Sequence, residues 1–122
     1  MLEGPRTSFL LPAHDEPGGY LTVTVLDVLD DAPFHLTGVV VLSLCGDLQN
    51  LTRRELEVLG LLVAGGHNNE IAQRLCVTTR TVATHVEHIL LKLDADSRAL
   101  AAVRAQRRGL YVPSELLDTR SR

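Results

Sequence analysis

From Val77 to Leu93 the chain reads VTTRTVATHVEHILLKL, and its polar side chains suit contact with a duplex polyanion. Thr79, Arg80 and Thr81 fall in what the spacing makes the first turn of a helix, where short side chains can touch a phosphate backbone. Further along the same side, Thr84 can contact a thymine methyl and Glu87 can accept a hydrogen bond from cytosine N4. Ala83 keeps the surface low between them, so the backbone can approach base edges, and His88 belongs to the same outward side. Lys92 and one of Arg53 or Arg54 are candidate phosphate partners, although Arg54 can equally brace the fold by pairing with Glu57. Asn68 and Thr78 stand at expected helix starts, where backbone N–H groups point at an anion, and Asn69 adds an amide to the first of them.

Other chemistries find little support. His85 and His88 are three apart, but no third ligand is placed beside them, so no metal is expected. Cys45 and Cys76 have neither CxxC nor Cys/His ligand spacing, which argues for reduced thiols, a cytoplasmic setting and no zinc. No phosphate-cradling glycine loop and no nucleophile motif is present, so neither an enzyme nor a cofactor is expected. Only four residues are aromatic and none is Trp, which disfavours single-strand binding by base stacking.

Two kinds of element must position these residues. From Leu51 onward the hydrophobic period is 3.6. Thr52 and Glu55 form a capping box at the start of a first helix, Leu56, Leu59 and Val63 share its inner face, and Ala64-Gly65-Gly66 stops it. A short second helix spans Asn69 to Leu75 with Ile71, Ala72 and Leu75 inward, Val77 makes a turn, and Thr78 caps a third helix reaching about Lys92. On that helix Val82, Val86, Ile89, Leu90 and Leu93 form one apolar stripe. A fourth helix is expected from about Ser97 to Arg107. Two helices joined by a three- or four-residue turn make a helix-turn-helix whose second helix reads the major groove, while the same pattern also fits an ordinary helical bundle.

The front of the chain differs. Residues 1–47 carry one basic side chain against seven acids, a balance of −6, whereas residues 48–122 carry eleven against eight, a balance of +3. Residues 1–19, rich in Pro, Gly and charge, read as a flexible lead-in. YLTVTVLDVL and HLTGVVVLSL, separated by the turn residues Asp30–Pro33, read as a β-hairpin pairing about 20–29 with 35–44. A lone hairpin is not stable, so residues 20–47 are either the remnant of a sensor domain or a dimerising arm. No run approaches the length needed to span a bilayer and no membrane partner is expected.

The motifs resemble a known family. Leu51, Thr52, Arg54, Glu55, Glu57, Val58 and Leu59, then Gly65, Asn68, Glu70, Ile71, Ala72 and Leu75, then Thr78, Thr81, Val82, His85, Ile89, Lys92, Leu93 and Arg98 match the signature of the C-terminal DNA-binding domain of LuxR-type transcription regulators. The matches lie within residues 51–102 and place the domain at about 48–117, within a region 48–122. The strands ahead of it resemble the closing strands of a GAF- or PAS-like sensor.

The resemblance implies a mainly α fold of four helices, with the third helix (about 79–92) in the major groove of double-stranded DNA. It also implies a homodimer joined through the fourth helix, to which Leu100, Ala101, Val103 and Arg104 would contribute, on an inverted repeat. A small-molecule ligand follows only if a complete sensor domain exists.

Departures from the family pattern are equally specific. Ala83 stands where relatives often have lysine, Glu87 where some have a second basic residue, Asn69 where a lysine or arginine often precedes the helix-two glutamate, and His67 where Ser or Thr often opens that helix, making Asn68 the expected cap. Each missing cation should lower the salt slope of binding by about one unit. A sigma-factor region-four-like module and a helical interaction domain without strong DNA binding remain the alternatives.

Overall fold

The structure is a computed structural model and describes residues 6–13, 19–27, 38–44 and 46–120. Three strands, β1 (Arg6–Pro12), β2 (Tyr20–Asp27) and β3 (Gly38–Leu44), precede five helices: α1 (Arg53–Val63), α2 (Asn68–Leu75), α3 (Thr79–Lys92), α4 (Arg98–Arg108) and α5 (Glu115–Arg120). The first four helices fall within a residue or so of the expected limits. α5, in the segment left without an assignment, is an addition.

Local chemistry accounts for the helix ends. At α1 the Thr52 hydroxyl accepts from the Glu55 N–H while the Glu55 carboxylate accepts from the Thr52 N–H, the reciprocal cap expected from T-R-R-E. Thr78 and Ser97 cap α3 and α4 in the same one-sided way, each accepting from the N–H three residues on. At the C-termini one device recurs. Gly66, Val77, Ala95 and Leu110 each donate back to the carbonyl five residues earlier, closing the turn around a residue with positive φ: Gly65, Cys76, Asp94 and Gly109. This left-handed stop satisfies carbonyls that the helix cannot.

The core is aliphatic. Leu56, Leu59, Ile71, Val82, Ile89 and Leu93 are almost wholly buried, so α1, α2 and α3 share one apolar centre. At Gly60 the returning chain passes so close that a Cβ would stand 1.7 Å from the Val112 carbonyl oxygen. There the Val112 N–H donates to the Leu56 carbonyl at 3.2 Å.

The sheet is antiparallel in the order β1-β2-β3, with Val23 opposite Phe9 on one side and Leu42 on the other. The expected hairpin is therefore present as β2–β3, while its turn at Asp30–Pro33 lies outside the described residues. Within the region read as a flexible lead-in, residues 6–12 form β1. The sequence signal was the breakers around RTSFLLP, but Pro12 sits at the strand's end, where a missing N–H is tolerated. What holds β1 is tertiary: the Leu10 N–H donates to the Tyr111 carbonyl at 2.9 Å, and Leu10 is fully buried in the helical core with Tyr20.

Candidate nucleic-acid interface

The helix pair α2–α3 is joined by Cys76, Val77 and Thr78. Cys76 holds φ 58°, and the Val77 N–H returns to the Ala72 carbonyl at 3.0 Å. This tight turn sets the direction of α3. Val82, Val86, Ile89 and Leu93 face the core, with Leu90 half-buried, as the stripe requires.

Among the described residues, none packs over the first turns of the opposite side of α3. Thr79, Arg80, Thr84, Glu87 and His88 are exposed, and Ala83 is half-buried between them. The Thr84 hydroxyl donates to the Arg80 carbonyl at 3.1 Å. Thr78 and Thr81 are engaged with one another, their hydroxyls 2.9 Å apart, as part of the cap. Leu91, one turn beyond Glu87, is 80% exposed.

Both ends of this module engage side chains inside the fold. At the end of α3 the Lys92 Nζ lies 2.6 Å from Oε1 of the buried Glu55. Burial pushes the Glu55 carboxyl up, but hydrogen bonds from Lys92 and Thr52 and the Lys92 charge outweigh it and leave the group below its ordinary value. His88 adds an Nδ1 at 3.8 Å from the other carboxylate oxygen. A charge this deep needs a partner, and Lys92 supplies it by joining the end of α3 to the start of α1.

At the start of α2 the expected cap needs correction. The helix begins at Asn68, so His67 is its capping residue. The His67 N–H donates to the Glu70 carboxylate at 3.0 Å, and Asn69 Oδ1 accepts from the Glu70 N–H at 3.0 Å. Asn68 instead faces α4, its Oδ1 accepting from Arg98 Nη1 at 2.9 Å. Arg54 takes the bracing role, 3.4 Å from Glu57.

On α4 the expected dimer surface divides. Ala101 is fully buried against the core. Arg104 donates to the Leu93 and Asp94 carbonyls, capping the end of α3, and Leu100 is half-buried. Val103, 42% exposed, is the open member. The roles of Arg98 and Arg104 lay beyond sequence reasoning because their partners are 30 and 11 residues away, although Arg98 does match the family motif.

Residues 49–105 match the family of bacterial regulatory proteins, luxR family. The transcriptional regulatory protein LiaR of Bacillus subtilis is 48% identical over 62 residues, 51% of this chain and 29% of that protein. LnrK of the same organism is 40% identical over 78 residues, 64% of this chain and 36% of that protein. The nitrate/nitrite response regulator NarL of Escherichia coli is 46% identical over 57 residues, 47% of this chain and 26% of that protein. The chain thus spans about a third of the length of the curated relatives it matches.

Among solved structures, a ligand–DNA complex of VqmA from Vibrio cholera has a TM-score of 0.50 at 21% identity, covering 92% of this chain and 58% of that one. A phage VqmA–DPO complex gives 0.51 at 22%, covering 93% and 61%. At these identities the likeness is one of fold.

Proposed function

We propose that the luxR-family helix-turn-helix domain formed by residues 49–105 binds double-stranded DNA in a sequence-specific way, with α3 in the major groove, as part of a cytoplasmic transcription regulator. The observation that carries this reading is the outward side of α3. Its core side is closed, while Thr79, Arg80, Ala83, Thr84 and Glu87 form a mostly short-chained surface that no described residue covers. Phosphate contacts come from Arg80, Thr79 and the first turn of α2, since Lys92 is engaged elsewhere. A two-fold dimer would set two such helices roughly 34 Å apart and favour an inverted repeat. The sheet is read as the closing part of a sensor domain, in keeping with a fold likeness that covers 92% of the chain.

The test is a salt titration of binding to random duplex, followed by selection from a random library. A steep salt slope with an enriched inverted repeat supports the reading. No binding at about 50 mM salt, where electrostatic affinity is high, would favour a helical interaction module. The exposed Leu91 and the loss of Lys92 as a free cation are the observations on that side. The orientation of α3 has its own check. Ala83→Lys should tighten binding to all sequences and raise the salt slope by about one unit; an unchanged slope would turn that side of α3 away from DNA.

A further inference from the structure

We infer that Arg98 is a positioning residue that decides which atom of Asn68 is offered to the DNA backbone. The inference rests on the reading that the α2–α3 pair faces a duplex. Arg98 stands at the start of α4, outside that pair, yet its guanidinium reaches the turn before α2 with both terminal nitrogens. Nη1 donates to Asn68 Oδ1 at 2.9 Å and Nη2 donates to the Gly66 carbonyl at 3.0 Å. A guanidinium has donors only, so the Asn68 atom facing it must be the amide oxygen. The planar fork holds a backbone carbonyl and a side-chain oxygen at once, which fixes the amide plane as well as its position.

The consequence concerns the other end of the amide. Asn68 Nδ2 has no hydrogen-bond partner among the described residues, and Asn68 is only half-buried. An amide presenting its NH2 group can donate to a phosphate oxygen, whereas one turned by 180° would present an oxygen to an anion. Asn69 beside it presents its amide in the same sense, but through a bond within its own turn rather than one from α4. The Asn69 oxygen is taken by the Glu70 N–H, and the Glu70 carboxylate by the His67 N–H. Arg98 therefore substitutes, through a neutral donor, for part of the grip that a lysine at position 69 would have given.

The experiment is a double-mutant cycle of Arg98→Met and Asn68→Ala, measured as affinity for random duplex across salt, with thermal midpoints beside it. Each single change is expected to weaken binding on the order of tenfold, the worth of one charge-assisted hydrogen bond. The double variant should bind no worse than either single, and the salt slope should hold, because the lost contact is uncharged. Arg98→Lys keeps the charge with a single donor head and should recover affinity only in part.

A slope lowered by about one unit, with a loss that adds to that of Asn68→Ala, would make Arg98 a direct phosphate ligand and overturn the inference. A lower midpoint with unchanged affinity would overturn it as well. A parent protein that fails to bind duplex at low salt removes the underlying reading, and this inference with it.

Discussion

Glu55 is the residue at which several requirements meet. It caps α1, it is buried, and it pairs with Lys92 across 37 positions of sequence. Because its folded carboxyl lies below the ordinary value, the stability it contributes is present above the unfolded glutamate range, about pH 4.3. That stability is lost as pH falls through the lower, folded value. Thermal midpoints should therefore drop between about pH 5 and pH 3 more steeply in the parent than in Glu55→Gln; parallel curves would remove Glu55 as the cause.

Lys92→Met strands the buried carboxylate. It should cost about 2 kcal/mol, below the range for a fully buried pair because Lys92 is partly exposed. The salt slope of DNA binding should hold, and a fall of one unit would restore Lys92 as a phosphate ligand. The capping half of this arrangement was legible in the sequence, since T-R-R-E is a local signal. The Lys92 half was not, because a lysine at the end of a helix looks equally suited to phosphate or to a carboxylate that only the fold brings near.

Among the elements, α1 to α4 could be read closely because caps, stops and the 3.6 period are written within a few residues of where they act. β1 could not, since the chain around it carries breakers and its stability comes from Tyr111 and the core beneath Leu10. The same contrast explains Ala101. Helical spacing alone does not say which small side chain is covered, and the packing of α4 on α1 closes it.

Gly60 gives the sharpest test at this scale. It looks like a neutral helix position, yet it is the point where residues 110–112 cross α1. Gly60→Ala would drive a Cβ to within 1.7 Å of the Val112 carbonyl oxygen, and α1 and the returning segment must then part. We expect a loss of about 3 kcal/mol or more, at the upper end for overpacking, seen as a lower denaturation midpoint. A change within about 0.5 kcal/mol, the scale of an ordinary surface substitution, would mean that the segment does not dock there in solution.

At the scale of the whole molecule, the sheet and the helical body are joined by β1, which leaves β3 at the far edge. β3 reads GVVVLSL, with no charge and no proline, and Leu42 and Leu44 are 60% and 80% exposed. The register puts Val40, Leu42 and Leu44 on the face that also bears Val25, Val23 and Leu21, so an apolar face runs to an edge that no described residue covers. Such an edge offers a row of open backbone donors and acceptors to any passing strand. Lysine there is the usual protection, since its charge must be desolvated before a second strand can pair.

Leu42→Lys is therefore expected to reduce concentration-dependent association in sedimentation velocity. It should leave the thermal midpoint nearly unchanged, because the side chain it replaces is already open to solvent. Duplex binding by the monomer should also be unaffected, as β3 lies on the sheet and the outward side of α3 on the helical body. If association persists at the parent level, the contact between copies lies off the sheet. Val103→Lys on α4 then becomes the variant that must abolish it.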